Sequence, residues 1–242
     1  MKTFKPEIIF EDAFILAVNK PAGMLSIPDR FNPDLPNLIS YFKPKFPELI
    51  PVHRLDKFTS GVILLAKDAE THKKLSELFL SRDVEKYYIA IVDGTPEPES
   101  GHIDVPLAES TVTRGKMLVH KRGKPSVTDY KVLRKFGKYS LIYLRLHTGR
   151  MHQIRVHMQY LGNPLIVDEL YGHRSKFYLS EIKHRNFKQS KFEDEQPLLS
   201  RQPLHAEKVV FDHPITGIRT EITATMPKDM EAVLRQMEKW LD

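Results

Sequence analysis

The residues of this chain best suited to chemistry lie in residues 51–66, PVHRLDKFTSGVILLA. Asp56 follows Arg54 by two positions in a polar turn, and Gly61 marks the change from this turn to the apolar residues 62–66. A carboxylate at the mouth of a buried strand serves either as a structural cap or as a reacting group. A desolvated aspartate can act as a nucleophile while it stays ionised, and a nearby arginine favours the ionised form.

Composition narrows the chemistry that is available. The 242 residues are 41% hydrophobic and 28% charged, which is ordinary for a globular protein. No apolar run approaches the roughly 18 residues that a membrane helix needs, and the N-terminus lacks the apolar core of a secretory signal. The absence of cysteine excludes disulfides, thiolate metal sites and thiol nucleophiles. We therefore expect a cytoplasmic protein that has no membrane partner.

The net charge alone does not decide whether the protein binds nucleic acid. Lysine and arginine total 37 against 31 aspartates and glutamates, a net charge of +6. A basic surface suits a polyanion such as nucleic acid, although many cytoplasmic proteins are mildly basic without binding one.

Several catalytic signatures are missing from the sequence. There is no P-loop, no dinucleotide glycine fingerprint and no Gly-x-Ser-x-Gly elbow. His152 and His157 are five positions apart, which is not the spacing of a helical zinc pair, so we expect no metal site. Phe58 stands where an Asp-x-Asp phosphotransferase needs its second acid. A retaining glycosidase remains open, because its second carboxylate can come from anywhere in the chain.

The hydrophobic periodicity predicts many strands and few helices. Strands are expected within 8–19, 62–66 and 87–92, in hairpins across 101–146 and 205–224, and helices over 69–81, 151–161 and the C-terminal end. Neighbouring strands joined by hairpins favour an α+β fold with a mostly antiparallel mixed sheet and flanking helices and loops. No linker is apparent, so residues 1–242 are expected to form a single domain that contains a basic insertion loop over 173–200.

A second polar cluster occupies the junction between the strand ending at Leu146 and the following helix. Arg155 lies about 90–120° around that helix from its apolar stripe. From there its side chain can reach inward, but spacing alone favours Arg150 and Arg155 as solvated surface residues.

Three segments together resemble the main motifs of the RluA family of RNA pseudouridine synthases, in order and in spacing. They are HRLDKFTSG at 53–61, KYY at 86–88 and GRMHQIRVH at 149–157. Shorter matches are VNKPAG at 18–23, GKP at 123–125 and LHAE at 204–207. The resemblance runs from about residue 8 to about residue 226. The early NKP motif favours the short form of the family, without an extra N-terminal RNA-binding domain, as in the member that gives the family its name.

The resemblance implies the pseudouridine synthase fold and an isomerisation of uridine in RNA that needs no cofactor. It assigns Asp56 as the nucleophile, attacking either C1′ of the ribose or C6 of the uracil. Tyr88 is implied to stack on the extruded uracil and to be a candidate acceptor of the C5 proton. Arg155 is implied to hold Asp56 ionised and oriented.

Further residues are implied to bind the RNA. Arg54 would fill the place that the extruded base leaves, and Lys86 would meet phosphates, as would the basic segment 112–124. His53, Arg150 and His152 complete the expected substrate-binding set. The implied partners are 23S ribosomal RNA, transfer RNA or both, bound by a monomer. The alternative is a non-catalytic RNA-binding protein of the same fold.

Overall fold

The computed structural model describes residues 4–183, 187 and 194–241. The chain divides into two compact units. The first comprises Met1–Tyr88 and His205–Thr225, and the second comprises Ile89–Leu204 and Met226–Asp242. The expectation of a single domain stays a prediction.

The first unit is built on a mixed sheet. Its elements are β1 (Glu7–Glu11), β2 (Ile15–Lys20), α1 (Leu38–Phe42), β3 (Ile50–Pro51), β4 (Ser60–Ala66), α2 (Ala69–Ser81), the start of β5 (Glu85–Asp93), β11 (Leu204–Asp212, from His205 onward) and β12 (Arg219–Thr223). β2 pairs antiparallel with β1 and with β4. β4 pairs parallel with β11, and β12 pairs antiparallel with β11.

Strand β4 lies at the centre of the first unit because every one of its residues is buried. A continuous apolar run of this kind is typical of a strand covered on both faces. Val62 and Leu64 join one hydrophobic cluster, to which Leu75 of α2 belongs, while Ile63 and Leu65 join another with Leu38 of α1. The strand that follows the candidate nucleophile is therefore rigidly packed.

Gly61 is required where β4 meets β11. Its φ is +116°, and a Cβ built there would lie 2.0 Å from the carbonyl oxygen of Ala206. Only glycine lets the two parallel strands approach so closely.

In its described residues, the second unit combines antiparallel strands with helices. Its elements are the rest of β5, β6 (Ser100–Asp104), β7 (Leu107–Glu109), β8 (Met117–Val119), β9 (Val127–Phe136), β10 (Tyr139–Leu146), α3 (Gln153–Tyr160), α4 (Ser180–Lys183) and α5 (Lys228–Leu241). β9 pairs antiparallel with β6 and β10, and β7 and β8 form a hairpin. Met230, Val233 and Met237 of α5 are buried against residues of the strands.

The predicted fold class and most predicted elements are confirmed. Helix α2 occupies the predicted 69–81, capped by the Asp68 carboxylate, which accepts from the Thr71 N–H. Helix α3 begins later than predicted, because His152 adopts a left-handed φ of 55°. Among the described residues, no helix has the length and apolar character needed to cross a membrane.

Within the basic insertion predicted at 173–200, the structure describes residues 173–183, 187 and 194–200. There, Phe177, Ile182 and Leu199 are buried in the core of the second unit. Residues 184–186 and 188–193 lie outside the described part of the chain. The flanks of this segment are therefore structural parts of the unit.

Candidate active site

Asp56 lies in the loop between β3 and β4, and its side chain is half-buried. The Thr59 N–H donates to the Asp56 carbonyl over 3.1 Å, which closes a tight turn before β4. The preceding residue, Leu55, is held by the buried Ser26: its N–H donates to Ser26 Oγ, and Ser26 Oγ donates to its carbonyl, both over 3.0 Å. The backbone is thus fixed on the N-terminal side of Asp56.

Lys20 fixes the backbone on the other side of Asp56. Its side chain is fully buried, and its ammonium donates to the carbonyls of Lys57 at 3.1 Å, Met24 at 2.8 Å and Pro21 at 3.1 Å. A buried charge is tolerated only when it is paired or hydrogen-bonded in this way. This role of Lys20 was not predicted from the NKP motif, although a lysine that ends a buried strand was the available signal.

His53, in the same loop, contacts the elements that follow it. Its Nε2 accepts a 3.0 Å hydrogen bond from the Leu64 N–H, and its ring stacks on Phe79 with centroids 4.7 Å apart. Burial, and next the nearby charge of Lys86, lower the pKa of His53 to about 3. His53 is therefore neutral and packs against β4 and α2, and its expected contact with RNA stays a prediction.

Lys86 and Arg54 are two further residues of the first unit that are expected to bind RNA. Lys86 is half-buried, with Nζ 5.9 Å from the centre of the Phe79 ring. Arg54 is exposed, so its side chain can reach an RNA strand.

Tyr88 is buried on β5 with 9% of its surface exposed. Burial raises the pKa of its phenol, and the negative charge of Asp56 raises it further. The candidate nucleophile and the candidate stacking residue therefore lie close enough to interact electrostatically within the first unit, although 32 positions of sequence separate them.

Arg155, in the second unit, is buried rather than solvated, which corrects the interpretation based on spacing alone. Its Nε and Nη2 donate to Asp168 Oδ2 and Oδ1 at 2.6 and 2.7 Å. Asp168 Oδ1 also accepts from the N–H groups of Leu170 and Tyr171. Bidentate pairing of this kind satisfies a buried guanidinium and fixes its plane.

Tyr171 connects Arg155 to His152. The Arg155 guanidinium lies 4.8 Å from the centre of the Tyr171 ring, and the Tyr171 hydroxyl is 2.8 Å from His152 Nδ1. The same hydroxyl accepts from the Met117 N–H over 2.8 Å. Sequence reasoning missed Asp168 and Tyr171, since neither belongs to the three main motifs.

Gln153 organises the turn that precedes α3. Its Oε1 accepts from the Arg150 N–H and the Thr148 hydroxyl, and its Nε2 donates to the Val127 carbonyl and Thr128 Oγ1. The half-buried Arg150 donates from Nε to the Pro125 carbonyl over 3.2 Å.

Arg150 also lines an open cavity of about 580 Å³ in the second unit. Two further cations, Arg122 and Lys124, share its walls with Glu109 and with apolar groups such as Met117. The cavity suits an anionic ligand, and it includes part of the basic segment expected to meet phosphates.

Comparison with known proteins distinguishes between the catalytic and the non-catalytic interpretations of the sequence. Residues 15–160 match the family described as RNA pseudouridylate synthase. The match covers more than half of the chain and includes Asp56, Tyr88 and Arg155.

The chain belongs to the RNA pseudouridylate synthase family. It is accordingly an isomerase, which supports the catalytic interpretation over a non-catalytic RNA-binding protein of the same fold.

Relatives of this pseudouridine synthase extend over nearly its whole length. "Ribosomal large subunit pseudouridine synthase D" of Zymomonas mobilis is 38% identical over 247 residues, which cover 96% of this chain and 72% of the relative. The protein of the same name from Pseudomonas aeruginosa is 38% identical over 238 residues, 95% of this chain and 72% of the relative. The structure of "Human RNA Pseudouridylate Synthase Domain Containing 4" is 27% identical, with a TM-score of 0.74 over 96% of this chain and 92% of the human chain.

Proposed function

We propose that this pseudouridine synthase modifies large-subunit ribosomal RNA and that Asp56 is its nucleophile. The names of the relatives support the choice of RNA. The observation that carries the choice of residue is the position of Asp56. Its two neighbours are anchored by buried groups, and its charge reaches the buried Tyr88.

The proposed reaction conserves all atoms and electrons. The N1–C1′ bond of the uridine breaks, the uracil turns, C5 bonds to C1′, and the C5 proton is lost as N1 gains one. Asp56 attacks either C1′ or C6 and is released when the product forms. The carboxylate, rather than a cofactor, carries the intermediate, so the residues described above suffice for the chemistry.

Tyr88 has a defined protonation state at the start of this reaction. Because burial and the Asp56 charge both raise its pKa, Tyr88 begins as a neutral phenol and can stack on the uracil. When Asp56 becomes covalently bound, its negative charge disappears and one of the two causes of the raised pKa is removed. Because a neutral phenol can accept the C5 proton only while it gives its own proton to another group, a role of Tyr88 as acceptor requires a linked proton transfer.

Two further roles complete the proposal. Extruding a base from its stack costs a few kcal/mol, and the exposed Arg54 is proposed to offset part of this cost by occupying the vacated position. Arg155 is proposed to favour the ionised form of Asp56. The support for this role is that Arg155 lies in the segment that resembles the family motif, within the residues that the family model matches; in its own unit the guanidinium is paired with Asp168.

The decisive assay uses RNA that carries tritium at uracil C5, because isomerisation releases this tritium while the base stays in the chain. The wild-type protein should release tritium from large-subunit ribosomal RNA transcripts. Asp56→Asn should slow the release at least about 1,000-fold. Asp34→Asn is the matched control, since Asp34 is exposed in the same unit and the substitution changes the charge equally.

Each other outcome has a separate meaning. Normal release by Asp56→Asn would refute the assignment of the nucleophile. Release only from transfer RNA transcripts would move the substrate to that RNA, and free uracil would indicate an N-glycosidase. Light scattering on the same preparations would measure the molar mass in solution and so test the proposed monomer. Activity on ribosomal RNA would support the cytoplasmic location expected from the sequence.

A further inference from the structure

Three side chains from separate parts of the sequence meet on one face of the second unit. His102 lies on β6 directly opposite Asp129 on β9, and His147 follows the last residue of β10. β10 is the other neighbour of β9 in the antiparallel register, with Leu146 opposite Thr128. Three adjacent chain segments therefore each present one polar side chain.

Burial shows that this face is separate from the one that holds α3. On β9, Thr128 and Tyr130 are buried, while Asp129 between them is partly exposed. Thr128 Oγ1 contacts Gln153 and His157 of α3, so Asp129 projects from the opposite side of the strand. The cluster does not overlap with the residues proposed for catalysis.

Both imidazoles point at the same carboxylate. His102 Nδ1 lies 2.6 Å from Asp129 Oδ1, and His147 Nε2 lies 2.5 Å from Asp129 Oδ2. The three groups offer ligand atoms that all lie within 4.8 Å of one another. A zinc ion sits about 2.0–2.2 Å from imidazole nitrogen and carboxylate oxygen, so a small outward rotation of the two rings would make room for it.

We propose that His102, Asp129 and His147 form a binding site for a divalent transition-metal ion, with Zn²⁺ as the expected occupant. Two imidazoles and one carboxylate are a donor set that zinc accepts, with remaining coordination positions for water. The side chains are 58%, 41% and 34% exposed, in the order His102, Asp129, His147, so solvent can supply that water and the rings can rotate.

The surroundings set the expected strength of the site. Arg145 lies opposite Asp129 in the β9–β10 register, and its positive charge acts against a bound cation. With three protein ligands and this neighbour, binding should be weaker than at a closed structural zinc site with four protein ligands.

The expectation of no metal, drawn from the sequence, rested on the spacing of His152 and His157 in one helix. The three residues proposed here come from three chain segments, 27 and 18 positions from the shared aspartate. A bound ion would link β6, β9 and the residue before Thr148, whose hydroxyl contacts Gln153. The expected effect is a more stable second unit.

The test is calorimetric titration of the full-length, tag-free protein with Zn²⁺. Wild type should bind one ion per chain with a rise in melting temperature. His102→Ala and His147→Gln should each weaken binding at least about 10- to 100-fold, since changes in outer-shell residues alone have effects of that size. His72→Gln, on α2 of the other unit, is the matched control for general histidine affinity and should bind as wild type does.

The absence of cysteine simplifies the result, because thiol binding cannot contribute. Co²⁺ provides a second readout: its visible spectrum should change on binding to wild type and not to His102→Ala. The proposal fails if wild type binds no Zn²⁺, or if the two variants bind as tightly as the control. Circular dichroism will test whether each variant is folded. If His147→Gln does not fold, the comparison of His102→Ala with wild type decides, since His102 is the most exposed of the three side chains.

Discussion

The buried pair Arg155–Asp168 allows a quantitative prediction for Asp168→Asn. The carboxylate accepts four hydrogen bonds, two from Arg155 and one each from the N–H groups of Leu170 and Tyr171. An asparagine can keep the bonds to one oxygen. Its amide nitrogen would then face Arg155 Nε, so that two donors meet and the guanidinium loses its counter-charge.

The cost follows from the burial of both side chains, which are 5% and 0% exposed. Removing one partner of a buried ion pair costs about 3–5 kcal/mol. Total stabilities are about 5–15 kcal/mol, so this loss is a large fraction of the free energy of unfolding. We expect Asp168→Asn to lower that free energy by about 3 kcal/mol or more.

The sequence supplies a convenient probe for this measurement. Trp240 is the only tryptophan and lies on α5, in the same unit as Asp168. Urea unfolding followed by tryptophan fluorescence therefore reports the stability of the unit that contains the pair. Glu169→Gln is the matched control, since the neighbouring Glu169 is exposed, and it should change stability by less than about 0.5 kcal/mol.

A double substitution separates an uncompensated charge from a general disturbance of packing. Arg155→Met combined with Asp168→Leu removes both charges, and it should cost less than the two single substitutions added together. A loss below about 1 kcal/mol for Asp168→Asn, with an unchanged denaturant slope, would refute the reasoning. So would a double variant whose loss equals the sum of the single losses.

Two other predictions address the packing of each unit. Gly61→Ala should lower the free energy of unfolding by more than about 2 kcal/mol, because the new Cβ would meet the Ala206 carbonyl. Gly115→Ala is the control: Gly115 also has a positive φ, but a Cβ there would have nothing within 4 Å, so it should lower that free energy less in the same urea unfolding assay. Burial lowers the pKa of His157 to about 4, against weaker opposing effects of the Val105 carbonyl and Asp104. Since the unfolded chain then takes up a proton near pH 6.5 before the folded chain does, urea unfolding should show stability that is full above that pH and falls by up to about 3 kcal/mol as the pH approaches 4. If the free energy of unfolding of His157→Asn falls just as steeply between pH 6.5 and pH 4 as that of wild type, this prediction is wrong.

Local patterns predicted the elements well where the chain's own spacing determines them. Helix α2 follows from an apolar face that includes Leu75 and from the cap at Asp68, both of which lie within the segment itself. Strand β4 follows from an uninterrupted apolar run. The start of α3 was predicted too early, because the left-handed φ of His152 accompanies a contact with the distant Tyr171.

The site was less predictable where a side chain depends on a distant partner. Spacing placed Arg155 at the surface, because nothing near it in sequence shows that Asp168 would neutralise it in the interior. The packing of the His53 ring against Phe79 was not predicted either, because the two residues are 26 positions apart. The resemblance to a known family supplied the pairing of Asp56 with Tyr88, which no local pattern contains.

The enclosure of Lys20 has a practical consequence for experiments on this enzyme. Its amine is inaccessible to solvent and engaged with three carbonyls, so reagents that acylate lysines should modify it only when the segment around Asp56 opens. The other lysines of this loop region offer an internal standard, since Lys57 is exposed. The ratio of labelling at Lys20 to labelling at Lys57, read by mass spectrometry, would therefore measure how often the catalytic loop opens in the native protein and whether bound RNA keeps it closed.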